Sequence, residues 1–318
     1  MQVIHGSENV PAEARGAILA VGNFDGVHRG HQSLLEAAIV EARKLGRRAG
    51  VILFEPHPRE FFQPDRPHFR LTPLPRKLEL LERHGLDLVV VLRFDASLAG
   101  LTAEDFIARV LVAGLGARHI VVGYDFRFGK GRTGDPDTLR RAGEAQGFGV
   151  TVVSQVAEAG EVFSSGAIRA DLAQGDVRGA AHALGHWWRI AGTVIGGAHR
   201  GQSLGFPTAN LKLPPGTGLM HGIYAVRVHV GGERHDGAAY LGTRPMFDNG
   251  DPILEVFLLD FDGDLYGREI EVEFIGFVRA DARFASVEAL KEQMAKDCEI
   301  ARGLLRQAPD KPQTGRAR

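Results

Sequence analysis

The chain has 318 residues, 24% of them charged, with 38 basic and 39 acidic side chains and a formal net charge of −1. That balance argues against a broad nucleic-acid footprint, which needs a basic surplus. Cys298 is the single cysteine, so an intrachain disulfide and a cysteine zinc site are excluded. No apolar run approaches the roughly 20 residues of a membrane-spanning helix. Met1–Glu8 has neither the basic region nor the apolar stretch of an export signal, and a cytoplasmic location is expected.

The length suits about two domains. In the first half, apolar and β-branched runs at Ala17–Val21, Gly50–Phe54, Leu88–Leu92, His119–Gly123 and Val150–Ser154 read as strands. Helical patterns lie between them at His31–Leu45, Pro75–His84, Thr102–Ala113 and Pro136–Gln146. Each is followed by the glycine expected of a C-cap, namely Gly46, Gly85, Gly114 and Gly147. This alternation predicts an α/β, doubly wound parallel sheet with both faces covered. Ligands of such sheets bind beyond the carboxyl ends of the strands.

After about Leu184 the texture changes to strand-like segments at Arg189–Ile195, Ile223–Val230, Ala238–Leu241, Ile253–Asp260 and Glu269–Val278. Gly231-Gly232 and Asp262-Gly263 punctuate them and read as hairpin turns. A small antiparallel barrel or sandwich is expected. A last helix is predicted from its cap Ser286 to about Leu305, with Val287, Leu290, Met294, Cys298, Ala301 and Leu305 on one stripe. Cys298 thus reads as a packed thiol, and Gln307–Arg318 as a polar, disordered tail. The expected division is 1–184, 185–306 and the tail 307–318, with the boundary near 184–188.

The first strand runs into Gly22-Asn23-Phe24-Asp25-Gly26-Val27-His28-Arg29-Gly30-His31 as a helix begins. Free backbone N–H groups and two imidazoles, at i and i+3 of a helix start, suit nucleotide phosphates. Gly26 and Gly30 let backbone and ligand approach closely. The histidine pair alone fits a plain helix cap equally well; the glycine-bracketed loop and the strand-then-helix context favour phosphate. The pattern is neither a dinucleotide fingerprint nor a P-loop. A near match at Gly196–Ser203 has Gln202 where a P-loop requires lysine. Other strand ends of the same half add His57 in Phe54-Glu55-Pro56-His57-Pro58 and the run Tyr124-Asp125-Phe126-Arg127-Phe128-Gly129. They also add Ser164, Ser165 and Arg169, a hydroxyl pair and a guanidinium able to grip a polyphosphate.

A second cluster lies in Gly205-Phe206-Pro207-Thr208-Ala209-Asn210. If extended there, Thr208 and Asn210 face one way and offer hard oxygen donors for Mg²⁺ carrying ATP phosphates; the same residues also suit a turn. Glu255 sits in Ile253–Leu259, where both alternating faces are apolar, so its carboxylate is expected to be at least partly buried. Burial raises a carboxylate pKa towards what a general base needs. The competing reading pairs Glu255 with a structural arginine such as Arg244.

Taken together, the first-half motifs, with Ser-Ser-x-x-Ile-Arg as the last, resemble the N-terminal half of the bacterial bifunctional riboflavin kinase/FAD synthetases, nucleotidyltransferases with an H-x-G-H signature. The second half resembles the kinase part of the same family through Arg200-Gly201, Leu204–Leu211, Gly222–Val226, Gly242–Pro245, Leu254–Val256 and Asp264–Gly267. The resemblance implies a Rossmann-like domain followed by a six-stranded antiparallel barrel with a C-terminal helix. It implies phosphorylation of riboflavin to FMN, then adenylylation of FMN to FAD with pyrophosphate release. ATP is the implied co-substrate, Mg²⁺ the metal, and FMN and FAD the products, with no nucleic-acid or membrane partner. It further implies Glu255 as base for the ribityl hydroxyl, and Thr208 and Asn210 on Mg·ATP. His28, His31 and Arg169 would be catalytic. Gly22, Asn23, Phe24, Asp25, Gly26, Gly30, His57, Ser164, Ser165, Arg200 and Gly205 would serve ATP, and Phe62, Asp125 and Phe128 the flavin. Two positions depart from the family pattern: Gly166 where threonine is usual, and Phe257 where histidine is common. An aminoacyl-tRNA synthetase, a kinase with an inactive first half and a non-catalytic flavin carrier are the alternatives. No Lys-Met-Ser-Lys-Ser-like loop is present, which disfavours the first.

Overall fold

The computed structural model describes residues 1–158, 161–196, 208–214, 216–243 and 252–312. It divides into two compact units, Met1–Ser164 and Ser165–Arg318.

The first unit holds a sheet of six parallel strands: β1 (Gln2–His5), β2 (Ile18–Val21), β3 (Ala49–Glu55), β4 (Leu88–Arg93), β5 (His119–Gly123) and β6 (Gly149–Val153). Their order is β1-β4-β3-β2-β5-β6. Five coincide with the apolar runs of the sequence. The sixth, β1, pairs with β4 from Gln2↔Leu88 to His5↔Val91; only Val3 and Ile4 are apolar in it, so it offers no run for periodicity to reveal. Both faces are covered, which is why these strands are almost wholly aliphatic. Ile18 and Ala20 pack with Leu35, Ala38, Val51 and Leu53, and Leu19 and Val21 with Ile52, Phe106, Ile120 and Val122. A short ladder, β7 (Ala157–Glu158) with β8 (Glu161–Val162), lies near the end of the unit.

From β2 the chain builds β3 and β4 on one side, then returns to place β5 and β6 on the other. The segments leaving β2 and β5 therefore diverge, and a crevice opens at their carboxyl ends. The helices Arg29–Leu45 and Pro136–Gln146 end on the left-handed glycines Gly46 and Gly147. Gly114 does not act as expected. There Ala103–Asp105 gives way to a π-helix, Phe106–Gly114, capped by Leu115, and the left-handed residue is Gly116 at φ 59°. Arg15 caps this helix instead, donating to the Ala113 carbonyl at 2.9 Å and to that of Gly114. Glycine at 114 answers a packing need, since a Cβ would stand 2.8 Å from the Ser7 carbonyl.

The second unit opens with the helices Ser165–Ala173 and Val177–Leu184. By packing they go with the barrel, whose first strand starts just past the 184–188 stretch where the sequence texture changes. Met220 N–H donates to the Leu172 carbonyl at 3.0 Å and Arg178 to the Ile275 carbonyl at 3.4 Å. Among the described residues six antiparallel strands follow: β9 (Arg189–Thr193), β10 (Thr208–Lys212), β11 (Gly222–Val230), β12 (Glu233–Thr243), β13 (Pro252–Leu258) and β14 (Glu269–Ala280). Their order, β10-β13-β12-β11-β14-β9, curls into a barrel whose ends meet at an Ile195–Asn210 bridge. Gly231 and Gly232, at φ 60° and 88°, make the expected hairpin between β11 and β12. Asp262-Gly263 does not make a hairpin: β13 pairs with β10 and β12, and β14 with β11 and β9, so this segment is a crossing connection.

The last helix, Val287–Gln307, begins where Ser286 Oγ accepts from Ala289 N–H at 3.2 Å. Ala301 and Leu305 of the stripe are buried, whereas Val287 is 52% exposed. The sequence reading of 307 onward as disordered is corrected up to residue 312. Gln307 closes the helix, and buried Arg227 donates to the carbonyls of Ala308 at 2.7 Å and Pro309 at 2.9 Å. Trp187 Nε1 shares the Pro309 carbonyl at 3.3 Å. A chain ending at Gln307 leaves that guanidinium under-satisfied in the core. Its second unit is expected to lose about 2–4 kcal/mol, read as an earlier urea transition in the fluorescence of Trp187 and Trp188.

Candidate active sites

The loop from β2 into the helix Arg29–Leu45 is held in a sparsely populated backbone. Phe24 and Val27 adopt φ 48° and 43°, uncommon for any side chain and rarer still for a β-branched one. Such residues cost of order 1–3 kcal/mol each, and burial of both rings and methyls holds them there; each is 0% exposed. Asp25, 3% exposed, ties the loop to a distant segment by accepting from Leu71 N–H at 3.2 Å and Thr72 N–H at 3.0 Å. Thr72 Oγ1 in turn accepts from Gly26 N–H at 2.7 Å. Asp25 and Gly26 are thus structural members of the loop.

His28 is the N-cap: its Nδ1 accepts from His31 N–H at 3.3 Å. A neutral imidazole accepting at Nδ1 carries its proton on Nε2, where it is a donor. The His28 and His31 rings stack at 3.6 Å between centroids, and Phe24 lies 5.1 Å from His31. Gly30 leaves no room for a side chain; a Cβ would meet the Phe163 carbonyl at 3.0 Å and the His28 ring at 3.1 Å. Burial holds His31 well below the ordinary histidine pKa, helped by His28 and Lys77. Two buried polar atoms of the loop, Asn23 Oδ1 and His31 Nδ1, have no hydrogen-bond partner among the described residues. Such atoms cost about 1–3 kcal/mol each unless a ligand satisfies them.

A cleft of about 670 Å³ opens at the crevice, walled by Gly22 and Asn23 after β2, Phe54 on β3, and Asp125 to Gly129 after β5. Phe62 and Phe128, expected on the flavin, line it together with Asp125. They are placed differently. Phe128 is buried against Phe106, while Phe62 is 65% exposed and touches Phe94 edge-on. His57 caps the helix Pro58–Phe62 by accepting from Arg59 N–H at 3.1 Å, and its ring lies 4.4 Å from His68. Nearby, Arg70 joins Glu55 and Glu60. His68 and Arg70 carry no pattern of their own in the sequence. Ser164 closes the first unit; Ser165 and Arg169 belong to the second, on the helix Ser165–Ala173, where Arg169 donates to the Ser165 carbonyl at 3.1 Å.

In the barrel, Thr208–Lys212 is a strand, so the extended reading holds there and the turn does not. Asn210, Glu255 and Tyr240 stand abreast on β10, β13 and β12; Thr208, Phe257 and Ala238 form the next row on the same face. Both rows line a cavity of about 390 Å³, except Asn210, with Leu290, Met294 and Cys298 of the last helix opposite. Glu255 is half-buried. Burial pushes the Cys298 thiol up to about 11. Asn210 Nδ2 donates to the Thr208 carbonyl at 3.3 Å. Thr208 also borders a second hollow of about 250 Å³ edged by Phe261–Tyr266. Asp297, 3% exposed on an otherwise mixed helix, grips Arg279 of β14 at 2.7 Å; a carboxylate in a surface-like pattern gave no sign of this. Among the described residues no three His, Cys, Asp or Glu side chains are placed to hold a metal. The hydroxyl and amide of Thr208 and Asn210 fit a hard cation that brings phosphate and water as its other ligands. Arg200, Gly205 and Arg244 lie outside the described residues, as does most of the P-loop-like stretch.

His57 gives a pH test. Burial and the neighbouring His68 hold it at about 4, below its unfolded value near 6.5. Between those limits the unfolded chain binds the extra proton, so stability falls as pH falls through that window and is unaffected above it. A proton-NMR titration is expected to place the His57 ring near 4, and His57→Gln to flatten the acid-side loss of stability.

Residues 10–167 match the family model of FAD synthetase, and residues 184–305 that of riboflavin kinase. A bifunctional riboflavin kinase/FMN adenylyltransferase of Pseudomonas fluorescens is 43% identical over 305 residues, covering 96% of this chain and 98% of its own. Its counterpart in Escherichia coli K12 is 44% identical over 299 residues, covering 93% and 96%. A crystal structure described as a macrolide-efflux protein from Streptococcus pneumoniae has a TM-score of 0.84 at 27% identity, covering 95% of this chain and 99% of that one. No helix among the described residues is long and apolar enough to cross a membrane. Two family matches in series, and relatives alike over nearly the full length, lead to one conclusion: the chain belongs to the bifunctional riboflavin kinase/FMN adenylyltransferases, which make FMN from riboflavin and FAD from FMN with ATP as co-substrate.

Proposed function

We propose that Glu255 is the general base of riboflavin phosphorylation and that His28 and His31 serve the phosphates in FMN adenylylation. The observation that carries the first half is Glu255, lining one cavity with Thr208 and Tyr240 and paired across the strands with Asn210. There a half-buried carboxylate stands next to two hard oxygen donors. Glu255 takes the proton of the terminal ribityl hydroxyl as its oxygen attacks the γ-phosphorus of ATP; the bond to the β-phosphate oxygen breaks and ADP leaves. The gain comes from positioning and charge neutralisation. Mg²⁺ held through Thr208 and Asn210 with the ATP phosphates would supply part of that neutralisation.

In the first unit the phosphate of FMN attacks the α-phosphorus of a second ATP, and pyrophosphate leaves. The His28 Nε2–H donor and the buried His31 ring stabilise charge on the phosphates by hydrogen bonds aimed before the reaction begins. Neutral imidazoles suit this role, and the burial of His31 supports it. Ser164, Ser165 and Arg169 enter the proposal through the family motif. Arg200 and Gly205 do so on the kinase side. Phe62, Asp125 and Phe128 are proposed to receive the flavin ring, and the exposure of Phe62 supports this, since it leaves much of an apolar ring at the cleft mouth for an aromatic ligand to cover. A cytoplasmic location goes with this reading.

Chromatography of products from riboflavin, ATP and Mg²⁺ tests the division. His31→Ala is expected to stop at FMN, with adenylylation slowed roughly 10²–10³-fold. Glu255→Ala is expected to leave riboflavin untouched yet convert supplied FMN to FAD. Equal loss of both conversions in folded protein overturns the assignment. Phe62→Ala is expected to raise KM for FMN about three- to tenfold with riboflavin phosphorylation unchanged, measured by initial rates.

A further inference from the structure

Lys77 is a buried charge that the chemistry above does not use. It lies on the helix Leu74–Arg83, in line with Leu74, Leu78 and Leu81 on the face turned to the core, and is 4% exposed. An aliphatic side chain would fill that position at lower cost, because taking an ammonium out of water is expensive unless something specific receives it. What receives it is the Asn23 carbonyl, at 2.8 Å from Nζ. That carbonyl belongs to the peptide leading into strained Phe24, and Asn23 itself walls the cleft. A trans peptide is rigid and planar, so gripping its oxygen fixes the whole plane at the mouth of the loop that carries His28 and His31.

We propose that Lys77 is a positioning residue for adenylyl transfer, its ammonium holding the Asn23 peptide so that the histidine loop stays in its reactive arrangement. The inference rests on the reading of that loop as the adenylylation site. The charges around it fit the role. Asp25, Glu55 and Glu60 attract the ammonium and Arg70 opposes it. Its charge in turn reaches His31, which His28 also faces, and His57, which His68, Asp25 and Glu60 also face. On both histidines the effect of Lys77 is to disfavour the imidazolium. A variant that merely loosened the fold would leave the acid limb of the pH profile in place, and this separates the two roles experimentally.

The test compares Lys77→Met with the native full-length chain, measuring FMN adenylylation and riboflavin phosphorylation on the same preparation. Expected is a loss of about 10- to 100-fold in kcat for adenylylation, the scale of a small misplacement in a site, with phosphorylation retained. The acid limb of the adenylylation pH profile is expected to move to higher pH, since the histidines gain protons more easily without the cation. Unchanged adenylylation overturns the proposal. So does a loss shared equally by both reactions, or an acid limb that does not move. Should Lys77→Met fail to fold, Lys77→Gln, which removes the charge and keeps an N–H donor, gives the same acid-limb comparison. His31→Ala run in parallel keeps the site reading separate. If His31→Ala still makes FAD, the site reading fails; if it does not and the neutral Lys77 variants behave like the native chain, the Lys77 proposal fails alone.

Discussion

The first site depends on one buried carboxylate. Asp25 reaches from the loop after β2 to the backbone of Leu71 and Thr72, and Thr72 returns a bond to Gly26. Without that tie, two residues with positive φ would be free to relax, and the helix start would lose its fixed relation to β2. A carboxylate able to accept several N–H bonds is well suited to over-determine a strained turn. The histidines then need no strain of their own: one caps the helix, the other stacks on it, and glycine between them clears the space.

The second site is arranged on a different principle. No loop is bent to make it. Strand pairing alone lines up Asn210, Glu255 and Tyr240, because opposed residues of an antiparallel ladder share a face. The apolar neighbours Leu254 and Val256 point the other way and are fully buried, which anchors the register. A one-residue slip would turn the carboxylate into the barrel. The two sites thus obtain precision by separate means, one by crosslinking a tight turn, the other by the pleat of a sheet.

Much of this was legible in the residues. Aliphatic runs marked the parallel strands because both faces are buried, and Gly46 and Gly147 marked helix ends because left-handed backbone favours glycine. What escaped did so for physical reasons. β1 is a four-residue edge with two apolar side chains. Thr208 and Asn210 suit a strand and a turn alike by residue type, and the partner β13 decides between them. Gly114 imitates a helix stop while meeting a packing demand, and Arg15 supplies the cap from almost a hundred residues away. Lys77 and Asp297 are charged residues with distant partners, and a charge in a helix reads as solvent-facing until the partner is known. The apolar spacing of Leu74, Leu78 and Leu81 around Lys77 was the one hint available.

The seam of the barrel closes where Ile195 N–H donates to the Asn210 carbonyl at 2.9 Å. Asn210 therefore belongs to two structures at once, the seam of the cylinder and the row that pairs it with Glu255. Among the described residues this bridge is the clasp of the hoop, and anything that steadies a clasp stiffens the hoop. Nucleotide held at Asn210 would then be felt around the circumference of the barrel, as slower amide exchange at Ile195 and along both strands that the clasp joins.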